Sequence, residues 1–433
     1  MSLSLVVYCS PLKNSLDYIA APFIIVAMIE RPIYTALWQE LAAEKAMVFM
    51  AGPRQAGKTT LAKSIAGEFA NRVYFNWDVV TDRRMLREDP YFFESVERVD
   101  DSPPIVVFDE IHKHRRWKNY LKGAYDRCAE GFRFLVTGSG RLEAGRRAGD
   151  SLAGRYALFH LWPLTLAELG GRRARLEDFL ADPLGIVQDG DGSAREAWRR
   201  LARFSGFPEP YSVGKERSYR RWSRDYHAQL IRGDIRDLTG ITAIDDVETL
   251  FAMLPERVGS LLSIPNLASD LETSYNTIKN WLAALERFYL IFRLQPWTAK
   301  VARATRKARK IYLFDYAGIE NPGARFENMV ALELFRAVSS WNDFGHGPFG
   351  LHFVRDREKR EIDFLLTHRR KPLLLVEAKS AEMQADASLL RFQQQLEVPA
   401  VQLVEDGERF VRPGGGGQQL LIAPAQLWLP RLP

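Results

Sequence analysis

Residues 52–59, Gly-Pro-Arg-Gln-Ala-Gly-Lys-Thr, fit the pattern G-x-x-x-x-G-K-[ST]. The apolar run Ala46-Met-Val-Phe-Met50 precedes them, and a helical pattern from Thr59 to Phe69 follows. A short run that is apolar on both faces reads as a buried strand of a parallel sheet. Strand, glycine turn and helix in this order leave the chain few alternatives to a strand–loop–helix unit at a sheet edge. Gly52 and Gly57 free the backbone so that consecutive N–H groups turn inward. The helix that follows adds the positive end of its dipole. A loop built this way cradles phosphate oxygens. Gly52, Pro53, Arg54, Gln55, Ala56, Gly57, Lys58, Thr59 and Thr60 are the residues it would bring to a nucleotide. Lys58 is placed to reach the β- and γ-phosphates, and the Thr59 hydroxyl to ligate Mg²⁺.

The neighbouring segments repeat the strand pattern. Residues 72–78, 103–110 and 132–140 read as further apolar strands, with helical patterns at 86–97 and 117–130 between them. Strands alternating with helices predict an α/β fold around a parallel sheet covered on both sides. The strand Pro103-Pro-Ile-Val-Val-Phe-Asp-Glu110 ends in two carboxylates. At a strand's C-terminal end Asp109 would hold Mg²⁺, and Glu110 would accept a proton from the attacking water. Thr137 and Ser139 lie at the tip of the next apolar strand, where a hydroxyl would orient that water. Arg155, in Ser151-Leu-Ala-Gly-Arg-Tyr156, would neutralise transition-state charge in its own site or in a neighbouring subunit's.

At 433 residues the chain exceeds one ordinary domain. The expected division is an uncertain extension at 1–27, a P-loop nucleotide-binding domain at 28–200, a helical and winged-helix segment at 201–312, and a second α/β domain at 313–433. The apolar stretch from Ile19 to Ile29 is too short to span a bilayer, so no membrane partner is expected. Two cysteines exclude a disulfide framework and a cysteine-rich zinc site and suit a reducing cytoplasm. A net charge of +6 tilts toward an acidic partner such as nucleic acid.

Several blocks together identify a resemblance. "GPRQAGKTT", "VVFDEIHK", "FLVTGSG", "SLAGRY" with "LWPLTLAEL", "FSGFPEP", "RGDIRDLTGI" and "KIYLFDYAG" resemble the AAA-like P-loop ATPases that carry a C-terminal domain of unknown function, DUF4143. The likeness runs from about Glu30 onward. It implies ATP as the nucleotide, with Mg²⁺, and hydrolysis. His112 departs from the pattern, in which glutamine is commoner; the Asp109–Glu110 pair is unaffected.

Residues 264–297 read as helix, turn, helix and strand, with Thr273 or Ser274 as the cap of the second helix. Tyr289-Leu-Ile-Phe-Arg-Leu294 and Arg309 to Asp315 would pair as a wing. Between them lies the basic segment 300–310, with Lys300, Arg303, Arg306, Lys307, Arg309 and Lys310. Such a loop beside a helix-turn-helix pattern would contact DNA phosphates.

Downstream, Asp363 in Glu361-Ile-Asp-Phe-Leu-Leu366 and Glu377-Ala-Lys379 at the end of an apolar run resemble the PD-(D/E)xK nuclease core, a restriction-endonuclease-like α/β fold. Alternate residues of a strand share a face, so Glu377 and Lys379 would point together. Asp363 and Glu377 would share a divalent metal, Lys379 would activate water, and Glu327 would add an acid. Three functions follow as expectations. One is an ATPase coupled to a nucleic-acid-directed or regulatory module. The others are a nucleotide-dependent switch, functioning as a homo-oligomer, and a metal-dependent nuclease with an accessory ATPase.

Overall fold

A computed structural model describes residues 29–138, 152–171, 174–187, 192–298, 308–381, 384–412 and 419–432. The extension at 1–27, Ser139, and Lys300, Arg303, Arg306 and Lys307 of the basic segment lie outside the described residues.

Strands β1 (Met47–Ala51), β2 (Arg72–Asn76), β3 (Ile105–Asp109), β4 (Arg133–Thr137) and β5 (Tyr156–His160) form a sheet in the order β2-β3-β4-β1-β5. Every pairing in it is parallel. Side chains of successive residues leave a strand on opposite faces. Met47 and Phe49 of β1 and Val106 and Phe108 of β3 therefore share one core with Trp117 and Leu121. Val48, Met50, Ile105 and Val107 share the other, with Trp38, Leu61 and Ile65. Each fully buried side chain of this size contributes about 1.5–3 kcal/mol, which is why the strands read as unbroken apolar runs. Met50 sits opposite Thr137, and Phe108 opposite Val136. This register brings the C-terminal ends of β1, β3 and β4 to one edge, the edge that carries the site.

Helices fill the region from Ser193 to Arg287. Ile264–Asp270 and Tyr275–Arg287 form the expected helix-turn-helix, and the Ser274 side chain caps the second helix by accepting from the Thr277 N–H at 3.1 Å. Strands β6 (Ile291–Pro296) and β7 (Lys310–Leu313) pair antiparallel as a hairpin. The hairpin does not stand free as a wing. Through β6 it joins β8 (Phe349–Arg355), β9 (Glu361–His368), β10 (Lys371–Lys379), β11 (Ala400–Val404) and β12 (Leu420–Pro424) in one mixed sheet, ordered β12-β11-β10-β9-β8-β6-β7. The helices and this sheet share one core, in which Trp222, Trp281, Tyr312, Phe364 and Trp428 are all buried. Leu389 and Phe392 cover the sheet's other face. Among the described residues no helix is long and apolar enough to cross a membrane.

Candidate functional site

The glycine-rich loop takes the shape its sequence implies. Gly57 caps the Lys58–Gly67 helix at φ 98°, a left-handed conformation costly for other residues. Gly52 has φ 132°, and a Cβ on it would stand 2.2 Å from the Leu161 carbonyl oxygen. The buried Lys58 ammonium donates to the carbonyls of Gly52 at 2.9 Å and Pro53 at 2.6 Å. Burial pushes its pKa down to about 8, against the opposing pull of the Glu110 and Asp109 charges.

Asp109 ends β3 and is 1% exposed. Three hydroxyls donate to its carboxylate: Thr59 Oγ1 at 2.8 Å, Tyr74 OH at 2.5 Å, and Thr137 Oγ1. The helix start, the middle of β2 and the tip of β4 thus converge on one acid. An alcohol and a carboxylate in contact are oxygen donors of the kind Mg²⁺ takes, so the residues fit this ion. Thr137 faces Asp109 here.

Glu110 follows in a left-handed conformation at φ 58°. Its carboxylate lies 3.1 Å from the Lys113 ammonium and 3.8 Å from His112 Nε2. Burial alone would raise its pKa, but the charges of His112, Lys113 and Lys58 prevail and hold it below the ordinary carboxylate value. Lys113 also pairs with Asp78 at 2.6 Å. Lys58, Thr59, Asp109, Glu110 and Lys113 open onto a cleft of about 620 Å³ that Pro208 and Glu209 also line. Ligand pockets commonly have this volume.

The loop is held from two directions. Arg31 is buried; its Nη1 donates to the Ala56 carbonyl at 2.9 Å, and its Nε and Nη2 donate to Glu168 at 2.8 Å each. Glu168 in turn closes a capping box with Thr165. From the other side, Arg54 pairs with Asp234, Nη2 to Oδ1 and Nε to Oδ2, both at 2.6 Å. Gln55 accepts a hydrogen bond from the Trp222 indole N–H and contacts Gln229. Residues Gln229–Ile235 form a π-helical stretch that turns Asp234 toward the loop. Arg31, Tyr74, Trp222 and Asp234 were not legible as site residues. Their signals are long-range; only the blocks "LTLAEL" and "RGDIRDL" marked the neighbourhood.

Arg155 is not brought to this site. It precedes β5, whose Tyr156 pairs with Met47 at the start of β1, at the end of the sheet opposite the loop. Its guanidinium pairs with Asp126 at 2.6 Å.

The C-terminal acids do assemble. Asp363 on β9 and Glu377 on β10 are neighbours: Glu377 Oε2 accepts from the Asp363 N–H at 3.0 Å, and Asp363 Oδ2 accepts from the Ala378 N–H at 3.2 Å. Lys379 lies 2.9 Å from Glu377. Glu327, on the Pro322–Asp343 helix, joins them through Lys310. Lys310 corrects the expectation of a DNA-facing residue, since it is 1% exposed and buried among carboxylates. Strand alternation explains it: Lys310 and Tyr312 share a face of β7, and both reach Glu327, at 3.2 Å and 2.7 Å.

Comparison with known proteins agrees with this layout. Residues 44–170 match the AAA domain model, 195–319 match a domain of unknown function, DUF8612, and 322–421 match a domain of unknown function, DUF4143. The chain carries an AAA-type P-loop ATPase domain followed by a DUF4143 domain. The AAA domain supports ATP binding and hydrolysis. Uncharacterized proteins of Mycobacterium bovis and Mycobacterium tuberculosis are each 24% identical over 353 residues, which is 80% of this chain and 73% of theirs. Among solved structures, the Walker-type ATPase of Pyrococcus abyssi aligns over 69% of this chain and 95% of its own, with 14% identity and a TM-score of 0.41. That likeness is too distant to carry an argument.

Proposed function

We propose that the chain binds and hydrolyses ATP and passes its nucleotide state to the C-terminal region through one helix. The contact of Thr59 with Asp109, beside the buried Lys58, carries the first half of this reading. On nucleotide binding Lys58 would exchange its loop carbonyls for phosphate oxygens, which satisfy a buried ammonium better. Thr59 and Asp109 would hold Mg²⁺, which would supply charge neutralisation for the nucleotide phosphates. Glu110 would orient the attacking water and accept its proton once it leaves Lys113. Arg155 would act only on the site of a neighbouring subunit.

The Glu216–Ala228 helix carries the second half. Trp222 on this helix donates to Gln55 of the loop. Tyr219, Ser223 and His227 on the same helix surround Asp315, two residues beyond β7, at 2.9, 2.5 and 3.3 Å. One helix therefore touches both the loop and the segment just beyond the strand that begins with Lys310. A shift at Gln55 and Arg54 has a direct mechanical route to the second sheet.

ATP turnover with Mg²⁺, with and without DNA, tests the reading. Failure to bind or hydrolyse ATP sinks it. For a DNA-directed module, the helix-turn-helix offers an exposed polar stripe, Tyr275, Asn276, Lys279 and Asn280. Lys279→Glu is then expected to weaken DNA binding and its salt dependence. Equal DNA affinity in both proteins favours the alternative, a nucleotide-dependent switch, for which a nucleotide-dependent change in oligomer size is the readout.

A further inference from the structure

A nuclease centre of the resembled kind needs a divalent cation between Asp363 and Glu377. The donor set found here does not fit one. The Lys310 ammonium lies 2.9 Å from Asp363 Oδ1, 2.9 Å from Glu361 Oε1 and 3.2 Å from Glu327 Oε1. An ammonium has three N–H donors and no acceptor, and here three separate carboxylates face it. The lysine sits where those side chains converge, and its side chain is 2% exposed. A divalent ion between Asp363 and Glu377 would need Asp363 Oδ1 at about 2.0–2.6 Å and would meet the Lys310 charge already in contact with that oxygen.

The surroundings fit a permanent cation. Lys310 reaches the acids across the ring of Phe353 on β8, 5.8 Å from its centroid. Tyr312, from the same strand face, donates to Glu327. The other oxygens of Asp363 and Glu377 accept backbone N–H groups across the β9–β10 pair, and Lys379 covers Glu377.

We propose that the Lys310 ammonium is the resident cation of this centre, replacing the divalent metal of a nuclease, so that the acids tie β7 to β9 within the mixed sheet instead of cutting phosphodiesters. The claim is independent of ATP hydrolysis, because neither Lys310 nor the acids touch the nucleotide cleft.

Counting bound Mn²⁺ on the full chain by electron paramagnetic resonance, without nucleotide, tests it. Wild type and Asp363→Asn are expected to hold the same number of ions. Lys310→Ala is expected to hold one more, and Lys310→Ala with Asp363→Asn to lose it again. A wild type holding one ion more than Asp363→Asn overturns the proposal, and this comparison does not depend on how Lys310→Ala folds. A folded Lys310→Ala that gains no ion overturns it too. If Lys310→Ala melts early, adding Glu327→Gln removes an unbalanced charge and is expected to raise the melting temperature. A double variant no more stable than Lys310→Ala counts against the resident-cation role.

Discussion

Arg54 in the phosphate-binding loop pairs with Asp234, 180 residues along the chain, with two N–O distances of 2.6 Å. Arg54 also lines the nucleotide cleft. It cannot serve Asp234 and a phosphate equally well at once. Asp234→Asn, which frees the guanidinium, is expected to tighten ATP binding several-fold, within the roughly 1.5–3 kcal/mol of a charged hydrogen bond. Arg54→Ala should weaken ATP binding by a similar factor. Titration with a non-hydrolysable ATP analogue measures both, and an unchanged Kd in Asp234→Asn removes Arg54 from the coupling.

Lys58 sets a pH dependence. With its pKa lowered to about 8 in the empty site, it is charged below pH 8 and loses its proton above it. Phosphate binding requires the charged form. Lys58 should therefore add no pH dependence to ATP affinity below pH 8. Above pH 8 the Kd should rise by about tenfold per unit until the ordinary lysine range is reached. In Lys58→Ala binding should fall by about 10- to 100-fold or more, and the alkaline limb should vanish.

Glu110 is expected to act in hydrolysis and not in binding. Glu110→Gln should keep ATP affinity while lowering kcat by about 10²–10⁴-fold. Its pKa lies below the ordinary value, so the carboxylate stays ionised at neutral pH and protonates only on the acid side. Removing one of its positive neighbours with Lys113→Ala should move the acid limb of the pH–rate profile upward. A limb that does not move would separate Glu110 from Lys113.

The Asp109 cluster predicts a graded loss of Mg²⁺ dependence. Asp109→Asn and Thr59→Ala remove proposed ion ligands, so the ratio of ATP affinity with and without Mg²⁺ should fall toward one. Tyr74→Phe removes only a hydroxyl that supports Asp109, at 2.5 Å, and should lower the ratio less, in line with about 0.5–1.5 kcal/mol for one hydrogen bond. Isothermal titration across the series distinguishes ligands from supports.

Much of the first domain was legible because its signals are local. A strand apolar on both faces, a glycine pair at fixed spacing and a carboxylate at a strand end are all short-range patterns. Val48 and Phe49, neighbours on opposite faces of β1, announced a doubly covered sheet, and the structure places Lys58, Thr59 and Asp109 at its edge. Arg155 failed as a neighbour of its own site because it stands just before β5, and in a parallel sheet that position lies at the edge opposite the strands' C-terminal ends.

The sequence by itself determined the α/β pattern, the phosphate loop with its acid pair, and the order of the C-terminal acids. Only the tertiary structure decided what surrounds them. Local spacing cannot tell that Tyr74 and Thr137 converge on Asp109, or that Arg54 leaves the loop for Asp234. Nor can it tell a solvated basic segment from Lys310, whose ammonium is fixed by three carboxylates from other elements. A charge on a strand is exposed or buried according to the partners that folding brings to it, and burial is tolerated only when those partners satisfy it.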